Sequence, residues 1–186
     1  MESPRGVYVA LLRGINVGGK NRLPMSGLRE IFSAFGCRGV ETFIQSGNVV
    51  FEAAQHVARA VPEAVSESIS KRYGLQIPLV MRSAKELRQA AKMNPFLRAR
   101  ADVANLHVAF LAERPTAARL ALLDPMRSPP DEAIVIGHEV YLRLPNGGGR
   151  TKFTNAYLDS KLATTSTVRN WRTVLTLVEM TTSPRP

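Results

Sequence analysis

The sequence predicts an α+β protein built from two ferredoxin-like (α/β-plait) halves related by duplication. Three observations carry that expectation. Apolar runs of strand length alternate with stretches of helical periodicity. Two pairs of strand-like runs flank glycine-containing turns and read as hairpins. The order strand, helix, hairpin, helix then occurs twice, over 7–82 and again after about residue 105.

"VYVALLR" (Val7–Arg13) reads as a buried strand. After a glycine-rich stretch, Pro24 suits the first position of a helix. Met25, Leu28, Ile31, Phe32 and Phe35 recur at helical spacing, and Gly36 is a natural stop. In "VETFIQSGNVVFEA" (Val40–Ala53) two β-rich runs flank Ser46-Gly47-Asn48, a hairpin turn. Val57, Val61, Val65, Ile69 and Tyr73 lie four apart on one helical face that Gly74 ends. "LQIPLVMR" (Leu75–Arg82) is a fourth strand, which Pro78 places at an edge or makes irregular. Residues 1–82 thus form an N-terminal ferredoxin-like half.

Residues 83–186 form a C-terminal plait-like half, expected to pack with the first as one globular unit. It opens with a basic helix, about Ser83 to Met93, broken by Asn94-Pro95. "NLHVAFLAE" (Asn105–Glu113) is a strand, and Pro115 to Leu123 a short helix. Leu123–Glu132 is a proline-rich surface loop. "EAIVIGHEVYLRL" (Glu132–Leu144) is a hairpin turning near Gly137-His138. "TNAYLDSKL" (Thr154–Leu162) is a helix, and Trp171, Val174, Leu175 and Val178 make a last helical stripe. No last strand is recognisable, so this half reads as βαββα.

The formal net charge is +10, from 25 Lys and Arg against 15 Asp and Glu. A basic chain favours nucleic acid, anionic metabolites or membrane headgroups, or simply carries a solvated basic surface. No apolar run approaches the ~20 residues of a membrane span. "MESPRG" has no signal-peptide pattern, and the single Cys37 cannot form an internal disulfide. These features predict a cytoplasmic protein with no membrane partner.

"LLRGINVGGKNRLP" (Leu11–Pro24) nearly spells a nucleotide-binding loop. Gly14, Gly19 and Lys20 fit G-x-x-x-x-G-K-[ST], but Asn21 lacks the hydroxyl that ligates Mg²⁺ in that mechanism. Pro24 also starts the helix too late for its amides to meet a phosphate at the GK pair. A true Walker site is therefore not expected. Two readings remain. Gly14, Gly18 and Gly19 suit a backbone nest for an anion, with Arg13, Lys20 and Arg22 adding charge. Alternatively, this is a βα turn whose polar side chains cap its own backbone.

That loop, together with "TFIQSGNVVF" (Thr42–Phe51), "NPF" (Asn94–Phe96), "GRTKFTNAYLDSKL" (Gly149–Leu162) and "VRNWRTVLTL" (Val168–Leu177), resembles the bacterial family called domain of unknown function 1697. The motifs occur in the family's order over nearly the whole chain. The resemblance implies two α/β-plait halves and supplies no activity. The chain departs from the family at Arg172, where Asn is usual, and at Val168, often Thr.

The motifs nominate Arg13, Asn16, Gly18, Gly19, Lys20, Asn21, Gln45, Ser46, Asn48, Lys152, Thr154, Asn155, Arg169, Asn170 and Trp171 as ligand-binding residues. Amides, hydroxyls and cations suit the holding of an anion. None is Asp, Glu, His or Cys, so no acid–base, nucleophile or metal constellation is recognisable and no cofactor is implied. His56, His107 and His138 are scattered, and His107 reads as a satisfied strand histidine. Trp171 beside Arg169 is either a stacking face or core. Arg82, Lys85, Arg88 and Lys92 make one cationic helix face, suited to a nucleic-acid backbone or to water. The leading expectation is a binding protein for a phosphate-bearing ligand, a nucleotide or nucleic acid. The rivals are an enzyme that acts on an anionic substrate by positioning and electrostatic stabilisation, and a protein-interaction module.

Overall fold

The computed structural model describes residues 4–99 and 101–183. The chain divides into two compact units, Met1–Arg88 with Leu177–Pro186, and Gln89–Thr176.

The first unit contains β1 (Arg5–Leu12), α1 (Met25–Ala34), β2 (Arg38–Phe43), β3 (Asn48–Ala54), α2 (Gln55–Tyr73) and β4 (Leu79–Ser83). The sheet is antiparallel in the order β2-β3-β1-β4, so β4 is an edge strand that begins just after Pro78. One face carries α1 and α2. Ala10, Leu12, Val49 and Phe51 from the strands meet Leu28, Phe32, Val65 and Ile69 from the helices, all fully buried. The Phe32 and Phe51 rings lie 5.1 Å apart. Each of these side chains larger than alanine, removed from water, contributes about 1.5–3 kcal/mol.

α3 (Ala84–Lys92) follows, then α4 (Pro95–Arg98), β5 (Leu106–Leu111), α5 (Ala117–Leu120), β6 (Glu132–Ile136), β7 (Glu139–Arg143), α6 (Asn155–Leu162), β8 (Ser166–Asn170) and α7 (Trp171–Met180). The second sheet is also antiparallel, in the order β6-β7-β5-β8. Its core joins Ala109, Leu111, Val140 and Leu142 to Phe153 and Leu158.

The two sheets therefore share one strand order, and β8 is the fourth strand that the sequence reading lacked. "STVRN" is short, and its buried residues are Ser166, Thr167 and a cation, Arg169. That composition hides it from a search for apolar runs.

The duplication is visible in register. Ala10 pairs with Val49 of β3 and Met81 of β4; Ala109 pairs with Val140 of β7 and Val168 of β8. This aligns Tyr8-Val9-Ala10-Leu11-Leu12 with His107-Val108-Ala109-Phe110-Leu111. It also aligns Arg82, opposite Val9, with Arg169, opposite Val108. Both arginines are buried, at 6% and 8% exposure. Each donates Nη1 to the carbonyl of the residue before it, Met81 at 2.7 Å and Val168 at 2.9 Å. The equivalence continues into the next helix. Ser83 and Glu86 form a reciprocal capping box at the start of α3, and Asn170 Oδ1 accepts from the Thr173 amide at 2.8 Å at the start of α7. The repeat is thus βαββαβα.

Where the halves differ most is the first crossover. β5 ends at Leu111 and α5 begins at Ala117, whereas β1 ends at Leu12 and α1 begins only at Met25. The common frame needs the short connection; the extra residues of the first half are the glycine-rich motif.

Candidate functional site

Inside that crossover, Val17 and Lys20 form a β-bridge, and the Lys20 amide donates to the Val17 carbonyl at 3.0 Å. Gly18 (φ 57°) and Gly19 (φ 75°) are both left-handed, as a two-residue turn of this hand requires. Asn16 (φ 54°) and Asn21 (φ 49°) flank the turn in the same region, which Asn tolerates better than most residues.

Both asparagines bond to nearby backbone. Asn16 Nδ2 donates to the carbonyls of Leu23 and Gln45, each at 2.9 Å, and its Oδ1 accepts from the Leu23 amide at 2.8 Å. Asn21 Nδ2 donates to the Gly14 carbonyl at 2.9 Å. The self-capping reading therefore holds for these two side chains.

The β2–β3 turn is shaped in the same way. Asn48 is fully buried, and its Nδ2 donates to the Phe43 carbonyl at 3.2 Å and to Ser46 Oγ at 2.9 Å. Gly47 has φ 77°, and a Cβ there would lie 2.7 Å from Leu12 Cβ. Asn48 and Ser46 thus build the turn, and the fully buried Asn48 is withdrawn as a ligand contact.

What these braces leave open is a cleft of about 460 Å³ lined by Asn16, Gly19, Arg22, Leu23, Pro24, Met25 and Gln45. Both motifs of the first unit contribute to it. α1 starts at its wall: Pro24, the N-cap, offers no side-chain acceptor, and the first turn holds no acidic residue. Among the described residues, no side chain caps its first amides or offsets the positive end of its dipole. Gln45, Lys20 and Arg22 are exposed, and among the described residues their side chains make no hydrogen bond or ion pair. The Gly14, Gly18 and Gly19 amides likewise have no acceptor within the described chain. Arg13, half-buried, enters the loop with its amide on the Pro78 carbonyl at 2.9 Å. Arg22, Leu23, Pro24 and Met25 were not among the nominated residues. Arg22 was legible only as added charge, and Pro24 and Met25 as a helix start; Leu23 carried no reading.

The nominated residues of the second unit serve mostly as braces. Thr154 caps α6 by accepting from the Tyr157 amide at 3.2 Å. Asn155 Oδ1 accepts from Ser166 Oγ at 3.2 Å, and Asp159 Oδ1 accepts from the Ser166 amide at 2.7 Å and hydroxyl at 2.6 Å. Lys152 is pinned through its backbone, to Ser128 Oγ at 3.0 Å and Arg127 Nε at 3.3 Å, with its side chain exposed. Thr154 and Asn155 also line a smaller cleft of about 250 Å³ floored by Leu142, Leu144, Phe153 and Val168.

Burial withdraws the Arg169 and Trp171 side chains as ligand contacts and Arg82 from the cationic helix face. Arg169 lies in β8 and donates to Thr167 Oγ1 at 2.8 Å; burial pushes its pKa down to about 10. Trp171 is 2% exposed at the start of α7, so its ring offers no face to a base. Asn170 is exposed, with its Oδ1 spent on capping α7. Arg82 belongs to β4 and is buried, so it leaves the cationic helix face; Lys85, Arg88 and Lys92 remain on α3. Of the two family departures, Val168 is half-buried in β8 and Arg172 exposed in the first turn of α7.

His107 is half-buried, with Nδ1 at 3.4 Å from the Asn105 carbonyl, and burial lowers its pKa below 6.5. Among the described residues no three His, Cys, Asp or Glu side chains gather as a metal site, and no helix is long and apolar enough to cross a membrane.

The solved structure of conserved bacterial protein SP0830 from Streptococcus pneumoniae is similar to this chain, with a TM-score of 0.72 at 22% identity, over 96% of this chain and 99% of that one. At that identity the likeness concerns the fold alone. No curated protein matches the sequence. The family described as "Protein of unknown function (DUF1697)" matches residues 6–141, a span that contains the whole loop–hairpin cleft. The chain belongs to the DUF1697 family.

Proposed function

We propose that the cleft between the β1–α1 crossover and the β2–β3 turn binds the phosphate group of a small molecule, a nucleotide being the leading candidate. The observation that carries this reading is the uncapped start of α1 opening onto a cleft that no carboxylate lines. Orphan helix amides and the helix dipole favour an anion there. Arg22 at the rim adds a planar, two-pronged donor suited to phosphate, and Lys20 adds a nearby point charge. Gln45 can hydrogen-bond the rest of the ligand, and Pro24 and Met25 offer it apolar surface. The cleft volume of about 460 Å³ falls within the usual range for small-molecule sites.

Its lining holds no group suited to general acid–base chemistry, which favours a binding protein over an enzyme. Nucleic-acid binding through Lys85, Arg88 and Lys92 of α3 is the competing reading. Salt separates the two. Contact with duplex DNA through α3 gives a logarithmic slope of about 0.9 per phosphate, flattened by K85Q/R88Q/K92Q. A small ligand in the cleft gives a shallow slope, loses affinity with Lys20→Ala, and ignores the triple variant. Native mass spectrometry of the purified chain tests whether a phosphorylated ligand accompanies it.

A further inference from the structure

The β2–β3 turn holds a strained residue. Ile44 has φ 50°, and among the described residues it is the one β-branched side chain with a positive φ. Asn16, Asn21 and Ala163 share that region, and none of them is branched at Cβ. Branching makes the left-handed backbone costly, whereas Asn or Gly adopts it readily. Burial does not repay the cost, because Ile44 is 53% exposed. Strain kept without a packing return is a mark of a functional position.

Val17 is a second exposed aliphatic residue, at 63%, where the glycine turn of the β1–α1 crossover begins. The two belong to one place. Asn16 Nδ2 donates to the Gln45 carbonyl at 2.9 Å, and both residues line the loop–hairpin cleft. Val17 follows Asn16 and Ile44 precedes Gln45, each a single Cα step of about 3.8 Å away. Each loop bounding the cleft therefore exposes one aliphatic residue beside it.

Charge narrows the occupant. Neither 12–24 nor 43–48 contains Asp or Glu, and Lys20 and Arg22 are exposed. A sugar phosphate would leave Val17 and Ile44 in water. An apolar ligand would leave the cations unmatched, together with the first amides of α1, which no side chain caps. A phosphate joined to a flat ring matches both sets. Two side chains suit the area of a base rather than that of a long acyl chain. Gln45, exposed next to Ile44, can donate and accept at the edge of such a ring.

We infer, resting on the phosphate reading of this cleft, that its ligand is a nucleoside monophosphate whose base packs on Ile44 and Val17. Ile44 is then a specificity-determining residue. Its strained backbone is retained because it holds aliphatic surface beside the phosphate.

The test uses the full chain, ¹⁵N-labelled and with ¹³C-labelled Ile and Val methyl groups, titrated with AMP, ribose 5-phosphate and adenosine. AMP is expected to bind at least tenfold more tightly than ribose 5-phosphate. The ring current of its adenine should move the Ile44 and Val17 methyl signals upfield, which ribose 5-phosphate, having no ring, should not do. Ile44→Asn supplies a residue suited to the left-handed backbone. It should raise Tm by about 2 °C and cut the preference for AMP over ribose 5-phosphate to less than threefold. Val17→Thr keeps the branched shape but adds a hydroxyl, and should lower the same preference at least twofold. A fall in Tm with Ile44→Asn, an undiminished preference in that variant, or AMP binding no tighter than ribose 5-phosphate overturns the base contact and leaves the phosphate reading standing. AMP binding no tighter than adenosine overturns the phosphate reading and the monophosphate with it. If none of the three binds at millimolar concentration, both are overturned.

Discussion

The side-chain amide of Asn16 donates to the carbonyl oxygen of Gln45 at 2.9 Å, tying the glycine-rich crossover to the β2–β3 turn. The same side chain holds Leu23 by both its amide and its carbonyl. One residue thereby fixes three backbone groups around the cleft, and the loop is a braced rim rather than a free flap.

Asn16→Gly keeps the left-handed backbone accessible while removing those bonds. At about 1 kcal/mol per hydrogen bond, discounted for water reaching a half-buried site, the cost is about 2 kcal/mol. Urea unfolding measures it. A loss below about 0.5 kcal/mol would mean that the brace carries little of the loop's order.

Gly27 on α1 packs under Tyr73 of α2: a Cβ at Gly27 would lie 1.9 Å from the Tyr73 hydroxyl oxygen. Gly→Ala inside a helix normally gains about 1 kcal/mol. Here the gain should be cancelled in the native background and partly recovered once Tyr73→Phe removes that oxygen, because the ring carbon Cζ stays 3.1 Å away. A double-mutant cycle should therefore show a coupling of about 1 kcal/mol; additive effects would contradict this packing.

Burial raises the Cys37 thiol from 9.0 to about 11, against a smaller lowering by Arg5. At pH 8 the folded chain should hold about 100-fold less thiolate than the unfolded chain. Its reaction with a disulfide reagent should be slower by at least that factor. The linked stability is fully present below pH 9 and is lost as pH rises towards 11, because the unfolded thiol ionises first. Equal reactivity in buffer and in urea would sink this.

His107 titrates below 6.5 because burial disfavours its charged form. The unfolded imidazole takes up its proton first as pH falls through 6.5, so this group makes stability decline below that pH. NMR titration of the His107 ring tests it directly, and an apparent pKa above 6.5 would contradict the burial.

Much of the fold was legible because strands and helices write different periods. Val57, Val61, Val65 and Ile69 announced α2, and "VYVALLR" announced β1. β8 was not legible, since a five-residue strand with Arg169 facing inward has neither an apolar run nor a turn of glycines beside it. The duplication was invisible in identity because only register shows that Tyr8 matches His107 and Arg82 matches Arg169. The candidate site was legible as a place but not as a set of side chains. Asn16, Asn21 and Asn48 each could bond outward or to nearby backbone, and in this fold they turn to the backbone. Met25 read as part of the α1 apolar stripe, and only the position of the helix start puts it on a cleft wall.

The central claim is that the start of α1 receives a phosphate. The most direct measurement is an NMR titration of the ¹⁵N-labelled chain with AMP, run for the native protein and for a K20Q/R22Q variant. The account predicts shifts confined to the amides of 18–27 and the side-chain amide of Gln45, weakened at least tenfold in the variant. Shifts gathered on Lys85–Lys92, or no shift at millimolar AMP, would contradict it.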